Sequence, residues 1–360
     1  MLMSEQSIAT MTARKHRPAT SFFDYEALAE RISSMDHILW RLKKIIEWER
    51  FMPIINGVFV RKAKGPGGRP NYDRLMMTKI MVLKHLYNIP DGQMEQRLLG
   101  DFFFRIFLDL TLADATPDEK TIWHFQNELS EAGVIFDLFN AFDAQLLEKG
   151  FIAKEGKIVD ASIVPVPVQH FTKEEKEALE KGETPKSWEE KPARASQRDT
   201  EAEWTKKHKK SYFGYKNHIK SDRKKLIRSF EVTPANDHDS QLMATLIDGN
   251  DAGEEMHGNS AYVGKPIESQ LRKNKIKNRL HKKAFKNTPL SEYQMKQNKG
   301  KSKIRARVEH VFGAMKMKMG DIRVRTIGRI RATFVIGMRN IIYNMCRYDF
   351  LKRERSASCA

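Results

Sequence analysis

Cysteine is almost absent from this 360-residue chain. Cys346 and Cys359 stand near its C-terminal end, which excludes a disulfide framework and offers no zinc-ligand spacing; a reducing cytoplasm fits. No apolar run approaches the length of a membrane span. With 31% charged residues and a mean hydropathy of -0.58, the composition argues for a soluble protein. The stretch MLMSEQSIATMTARKHRP has a basic cluster but no adjoining apolar core, so it does not read as a secretory signal. Internal repeats are missing as well. What remains is enough for a real core, since 40% of the residues are apolar, and the length allows two ordinary domains or one enlarged one.

Acid is scarce in one tract above all. From Arg272 to Arg307 lysine and arginine recur, ending in Lys303, Arg305 and Arg307, against Glu292 alone. A solvated face mixes signs, so this one-sided run favours phosphate contact. The whole chain carries a formal net charge of +18, with a pI near 9.7, and nucleic acid is the commonest partner for such an excess. Anionic membrane is the weaker alternative, because the tract lacks the aromatic and leucine face of an interfacial helix.

Residues 1–20 read as a disordered tail. From 21 to 149 the pattern is helical. An amphipathic stretch runs through Leu28, Ile32, Leu39, Leu42 and Ile46, and a basic glycine- and proline-rich loop follows at 62–70. Asn71 or Asp73 can cap a helix reaching Leu86, and Asp91 opens another that Gly100 ends. Thr116-Pro117-Asp118 then opens a helix with Trp123 and Phe125. Short helices ending in a polar-aromatic one suggest a helix-turn-helix-like DNA module; a plain packing domain with those aromatics in its core has the same pattern. The character changes at Gly150. Lys157–Val164 is rich in β-branched residues and reads as a strand that Pro165 and Pro167 end. Residues 170–210 are charged and poor in apolar periodicity, which predicts a long mobile insertion or lid. Strand character returns at 212–219 and 226–232, a helix at 240–247, and a last helix spans 331–348. Residues 351–360 read as a tail.

Two acids stand out chemically. Asp160 lies in a run of Ile, Val and Ala, where a carboxylate is costly unless paired or metal-bound; a strand-end acid on a solvated edge is the plain alternative. Glu309 lies on a helix whose buried stripe is Ile304, Val308, Val311, Phe312 and Met315. Arg305 is one turn before it and Lys316 about two turns after it, on a neighbouring face. A carboxylate among cations suits metal-dependent phosphoryl transfer on nucleic acid, whereas a solvated face with an ordinary salt bridge needs no such function. Two-metal chemistry of that kind requires several oxygens converging on cations about 4 Å apart, and magnesium prefers hard oxygen ligands.

Four segments carry a family likeness: GRPNYDRLMMTKIMVLKHLYNIPDGQMEQRLLGDFFFRIFLDL; KIVDASIVPV; YFGYKNHIKSDRKKLIRSFEVTPANDHDSQ; and GNSAYVGK with RARVEHVFGAMK. In their order they resemble the DDE-type insertion-sequence transposases, in particular the insertion sequence five group, over roughly residues 69–345. The resemblance implies an α/β fold with a ribonuclease-H-like mixed sheet and flanking helices over 150–350, preceded by an all-helical DNA-binding domain. It places the first acid at Asp160 and the third at Glu309, with Arg305 and Lys316 as its basic partners. The second acid's position, three residues before Tyr262, holds Asn259. Asp237 and Asp239 are out of register to replace it. The implied ligand set for two magnesium or manganese ions is therefore Asp160, Asn259 and Glu309, one charge short. Lys303, Arg305, Arg307 and Lys316 are the expected DNA contacts. The expected partners are double-stranded DNA (inverted-repeat ends and target) and further copies of the chain on DNA, at the nucleoid of a bacterial cytoplasm, without membrane. The implied activity is cleavage of the element's ends and strand transfer, impaired by Asn259; the alternative is an inactive end-binding protein or repressor of transposase descent.

Overall fold

The computed structural model describes residues 24–60, 71–153, 156–207, 209–247, 249–284 and 288–358. The expected tail at 1–20, the loop at 62–70 and Cys359 lie outside them. Eight helices come first: α1 (Asp24–Ser33), α2 (Ile38–Ile45), α3 (Met52–Val58), α4 (Arg74–Leu86), α5 (Asp91–Gly100), α6 (Phe102–Phe107), α7 (Glu119–Glu131) and α8 (Ile135–Glu148). Side-chain caps set two of their starts. Asp73 accepts from the Leu75 and Met76 amides, and Asp118 from that of Thr121. Every residue of α4 from Met76 to Leu86 is buried, so this helix is wrapped on all sides. Along α7 the two aromatics part company. Phe125 is buried and stacks on Phe59, while Trp123 remains exposed.

The second half is a mixed sheet with helices: β1 (Lys157–Pro165), α9 (Lys173–Glu180), α10 (Lys186–Glu189), α11 (Pro192–Ala195), β2 (Glu203–Lys207), β3 (Lys210–Asp222), β4 (Ile227–Pro234), α12 (Met243–Leu246), β5 (Glu255–His257), α13 (Lys265–Lys273), β6 (Lys277–Asn278), α14 (Glu292–Met319) and α15 (Arg329–Ser358). Antiparallel β4, β3 and β1 are followed by β5 and β6, which run parallel to β1. β2 pairs with the first part of β3.

Helices cover both faces of this sheet. On one, α15 packs against β4 and β3 and, on its other flank, against α2, α4, α7 and α8. One apolar core therefore runs from Ile32 to Leu351 through both halves of the chain. Polar clamps fix α15 in place: Asn340 bonds Asn217 of β3 at 2.9 Å, and Asn344 bonds both the amide and the carbonyl of Ile227. On the opposite face α12 and α13 close a second, smaller core around Val159, Met256 and Tyr262.

Two expectations change. Residues 170–210 fold into α9, α10, α11 and β2 rather than a featureless lid. They gather around the buried Glu175 carboxylate, which accepts from the Thr172 amide, Trp188 Nε1 and Ser187. Residues 351–358, read as tail, continue α15. Among the described residues no helix is long and apolar enough to cross a membrane.

Candidate active site

Asp160 sits near the middle of β1, and its backbone position follows from pairing on both sides. β3 matches it with Ile219. On the other side the parallel register puts Lys157 beside Met256 and Ile158 beside His257. Carried on by two residues, that register sets Asp160 next to Asn259. Gly258 makes the approach possible: a Cβ there would come within 2.9 Å of both Val159 Cγ2 and Leu280 Cδ2. A side chain at 258 would lever the Asn259 turn away from β1.

The third residue arrives from α14, which begins with a capping box between Ser291 and Gln294. Its apolar stripe of Val308, Val311, Met315 and Met319 is buried and packs the helix on β1. Arg305 then points at the strand: its Nη1 donates to Asp160 Oδ2 at 3.0 Å, and its Nη2 donates to Glu309 Oε1 one turn along. Two acids far apart in sequence thus meet on one guanidinium. Burial holds the Asp160 carboxyl above its usual range, although the Ala161 amide at 2.9 Å and the Arg305 charge act in the opposite direction. Glu309 stays largely in solvent.

Asn259 differs from an acid in more than charge. It caps the 3-10 turn Ser260–Tyr262, and its Oδ1 accepts from the Ala261 amide at 2.7 Å. That bond uses the only carbonyl oxygen of the side chain, and the remaining Nδ2 can only donate. An aspartate in the same place would cap with one oxygen and keep the other.

The basic residues spread outward from this point. Lys303 is exposed, and Arg307 reaches the Arg223 carbonyl at 3.5 Å. Lys316 does not touch the acids. It pairs with Asp321 at 2.8 Å and lines a cleft of about 500 Å³ between β1 and α14, together with Ser162, Asn217, Phe312 and Arg323. In the basic tract Arg272, Lys273, Lys275, Lys277 and Arg279 are exposed along one flank of the same region. The tyrosines weighed as base-stacking platforms have other duties: Tyr215 is buried and bonds Asp199, and Tyr262 is buried in the smaller core. His310 contacts Lys225 rather than the acids.

Sequence reasoning had given Arg305 to DNA alone, and its bond to Asp160 is a tertiary contact that no spacing announces. As donors, two carboxylates and an amide are hard oxygen groups that suit magnesium or manganese better than thiophilic ions. The fit is one carboxylate short. Among the described residues no group of three or more His, Cys, Asp or Glu side chains is arranged to hold a metal.

Known families match the sequence on both sides of residue 150. Residues 153–345 match the family described as Transposase DDE domain, and residues 26–128 the one described as Transposase domain (DUF772). Among solved structures, the cryo-EM structure of a piggyBac transposase synaptic complex with hairpin DNA is similar at 11% identity. The likeness covers 92% of this chain and 77% of that one, with a TM-score of 0.43.

Proposed function

This chain belongs to the DDE transposase family, the matched residues 153–345 being more than half of its 360, and from that premise we propose that it binds the inverted-repeat ends of a DNA element and acts on their phosphodiester bonds. The observation that carries this reading is the meeting of Asp160 and Glu309 on Arg305. Three antiparallel strands continued by two parallel ones, with the acids on the central strand and the long covering helix, support a ribonuclease-H-like core over 150–350. The helices of 21–149, with Trp123 exposed on α7, are then the end-recognition domain. The family uses divalent metal, and here Asp160 and Glu309 are the groups to hold magnesium or manganese. When bound, such ions activate the attacking oxygen and stabilise the leaving one.

The chain's own groups do the rest. Arg305 neutralises the two carboxylates and can pass to a DNA phosphate that approaches them. Lys316, about 10 Å further along α14, sits on the cleft wall where the backbone of the strand runs, a role that sets affinity and register rather than sequence choice. Asn259 neither brings charge nor offers a free oxygen, so cleavage is severely impaired. Two ends must be paired, so the working form on DNA is a dimer or larger.

A second reading is favoured by the same asparagine: an end-binding protein or repressor of transposase descent that no longer cuts. One experiment separates them. Native chain and Asn259→Asp are given magnesium or manganese and a DNA end, and nicking, strand joining and binding are scored. Weak nicking by the native chain, rising in the variant, supports an impaired transposase. Binding without any native nicking, where the variant nicks, supports the repressor. Equal cleavage by both means that position 259 is not the second acid's place. Binding should also fall steeply with salt, by roughly 10³-fold or more between 50 and 200 mM if six or more phosphates are neutralised. A flat salt response removes the DNA reading altogether.

A further inference from the structure

Asn259 withholds a charge, and a carboxylate outside the predicted ligand set stands beside it. Asp239 opens the 3-10 turn Asp239–Leu242, which packs against the turn Ser260–Tyr262 that Asn259 caps. The chain reaches this place after leaving β4, on its way across the sheet to β5. Lys216 of β3 fixes the position: its ammonium donates to the Asp237 carbonyl at 2.6 Å and to Asp239 Oδ1 at 2.9 Å. That pair uses one carboxylate oxygen, and the Asp239 side chain keeps some exposure.

A second feature points to a ligand rather than to a salt bridge alone. Tyr262 is fully buried, and its hydroxyl has no hydrogen-bond partner. The charges of Asp239 and Asp160 both reach this hydroxyl and make it harder to ionise. Asp239 also pushes the Asp160 carboxyl up, so the two acids feel each other. A buried donor in the field of two carboxylates, bonded to neither, matches the hydration shell of a small hard cation. Magnesium keeps several of its waters, so a carboxylate can grip it without touching it.

Resting on the reading above, we propose that Asp239 is the third carboxylate of the divalent-cation site and holds the ion through its water shell, in place of the charge that Asn259 lacks. Action through water is consistent with the described residues having no three acids or histidines placed for direct ligation. It also gives the Lys216 pair a purpose, since the lysine keeps Asp239 beside the strand ends when no cation is bound.

The test is manganese titration of the full chain, followed by the paramagnetic resonance of the free ion, with thermal melting as a check on folding. Asp239→Asn should weaken manganese binding about tenfold or more, the usual effect of losing an outer-shell partner. Adding Asn259→Asp to that variant should restore it, because a direct acid returns. Unchanged affinity in Asp239→Asn overturns the proposal. So does weakened binding that Asn259→Asp fails to restore, which reduces Asp239 to a structural support. The underlying reading has its own control: manganese binding that survives Asp160→Asn defeats the assignment of the site itself, whatever Asp239 does.

Discussion

Replacing Arg305 by methionine should loosen the fold slightly and tighten the grip on divalent cations, two effects of opposite sign from one side chain. The structural cost comes from two ion pairs. The Glu309 partner is 55% exposed, so its loss costs under about 1 kcal/mol. Asp160 is only 12% exposed and loses a charge-assisted bond of the kind worth roughly 1.5–3 kcal/mol. The Ala161 amide remains, and Arg305 is itself a quarter exposed, so the low end applies: about 1–2 kcal/mol in all. The same figure bounds the gain for a cation, which no longer displaces the guanidinium. It corresponds to roughly 5- to 30-fold tighter manganese binding. DNA binding should weaken, with the salt slope falling by about one phosphate contact. Calorimetric titration with manganese and a salt series of DNA binding read both quantities. Weaker manganese binding in Arg305→Met would refute the reasoning, because the arginine would then be supporting the ligands rather than competing for them.

Other outcomes follow from neighbouring groups. Burial raises Asp160, so its ionised form costs stability at neutral pH; the contribution is fully favourable below the ordinary carboxylate value and is lost as pH rises through the raised one. Asp160→Asn should therefore melt higher than the native chain at pH 7, with the gap closing in acid, while manganese binding collapses; a pH-independent gap contradicts this. His218 is buried and its pKa is pushed down to about 4, so stability present above 6.5 drains away as pH falls toward 4, by about 3 kcal/mol. His218→Gln, which can still bond Thr233, should flatten that slope in denaturant titrations run across the window. Gly258→Ala should cost about 1–3 kcal/mol, since the added methyl meets Val159 and Leu280 at 2.9 Å, and it should weaken cation binding too. A neutral result in both measurements would mean that the Asn259 turn does not lie tight on β1.

The parts of the site that rest on local pattern were legible in the sequence. A carboxylate in KIVDASIVPV announces itself by cost, and the α14 face by the spacing of Arg305, Glu309 and Lys316. What sequence missed is held by contacts between distant segments. The bond from Arg305 to Asp160 spans 145 residues, and the approach of Asn259 depends on a parallel register that β5, three residues long, scarcely advertises. Asp239 lay in a segment read as a turn, and only the crossing from β4 to β5 brings it to Asn259. The 170–210 segment misled for a related reason. Its organiser is the buried acid Glu175 with polar partners, to which apolar periodicity is blind. The end of α15 was missed because RERSAS offers no apolar position to continue the stripe.

These features constrain one another. A strand carboxylate as buried as Asp160 needs a positive partner at all times, whether or not a metal is present. Arg305 is that partner in the protein alone, and it is tethered to α14, so it cannot leave without a replacement for its own negative contacts. DNA supplies them as phosphates, and the acids are then free for a cation only when the strand is already in the cleft. Loading of metal and loading of DNA should accordingly be coupled: manganese affinity rises in the presence of a DNA end, and DNA affinity rises by the same factor with manganese, as linkage requires. Asn259 weakens the cation arm of that exchange without disturbing the arginine. A chain that holds DNA well and metal poorly is the result, and the coupling factor measured with and without Asn259→Asp shows how far the balance has moved.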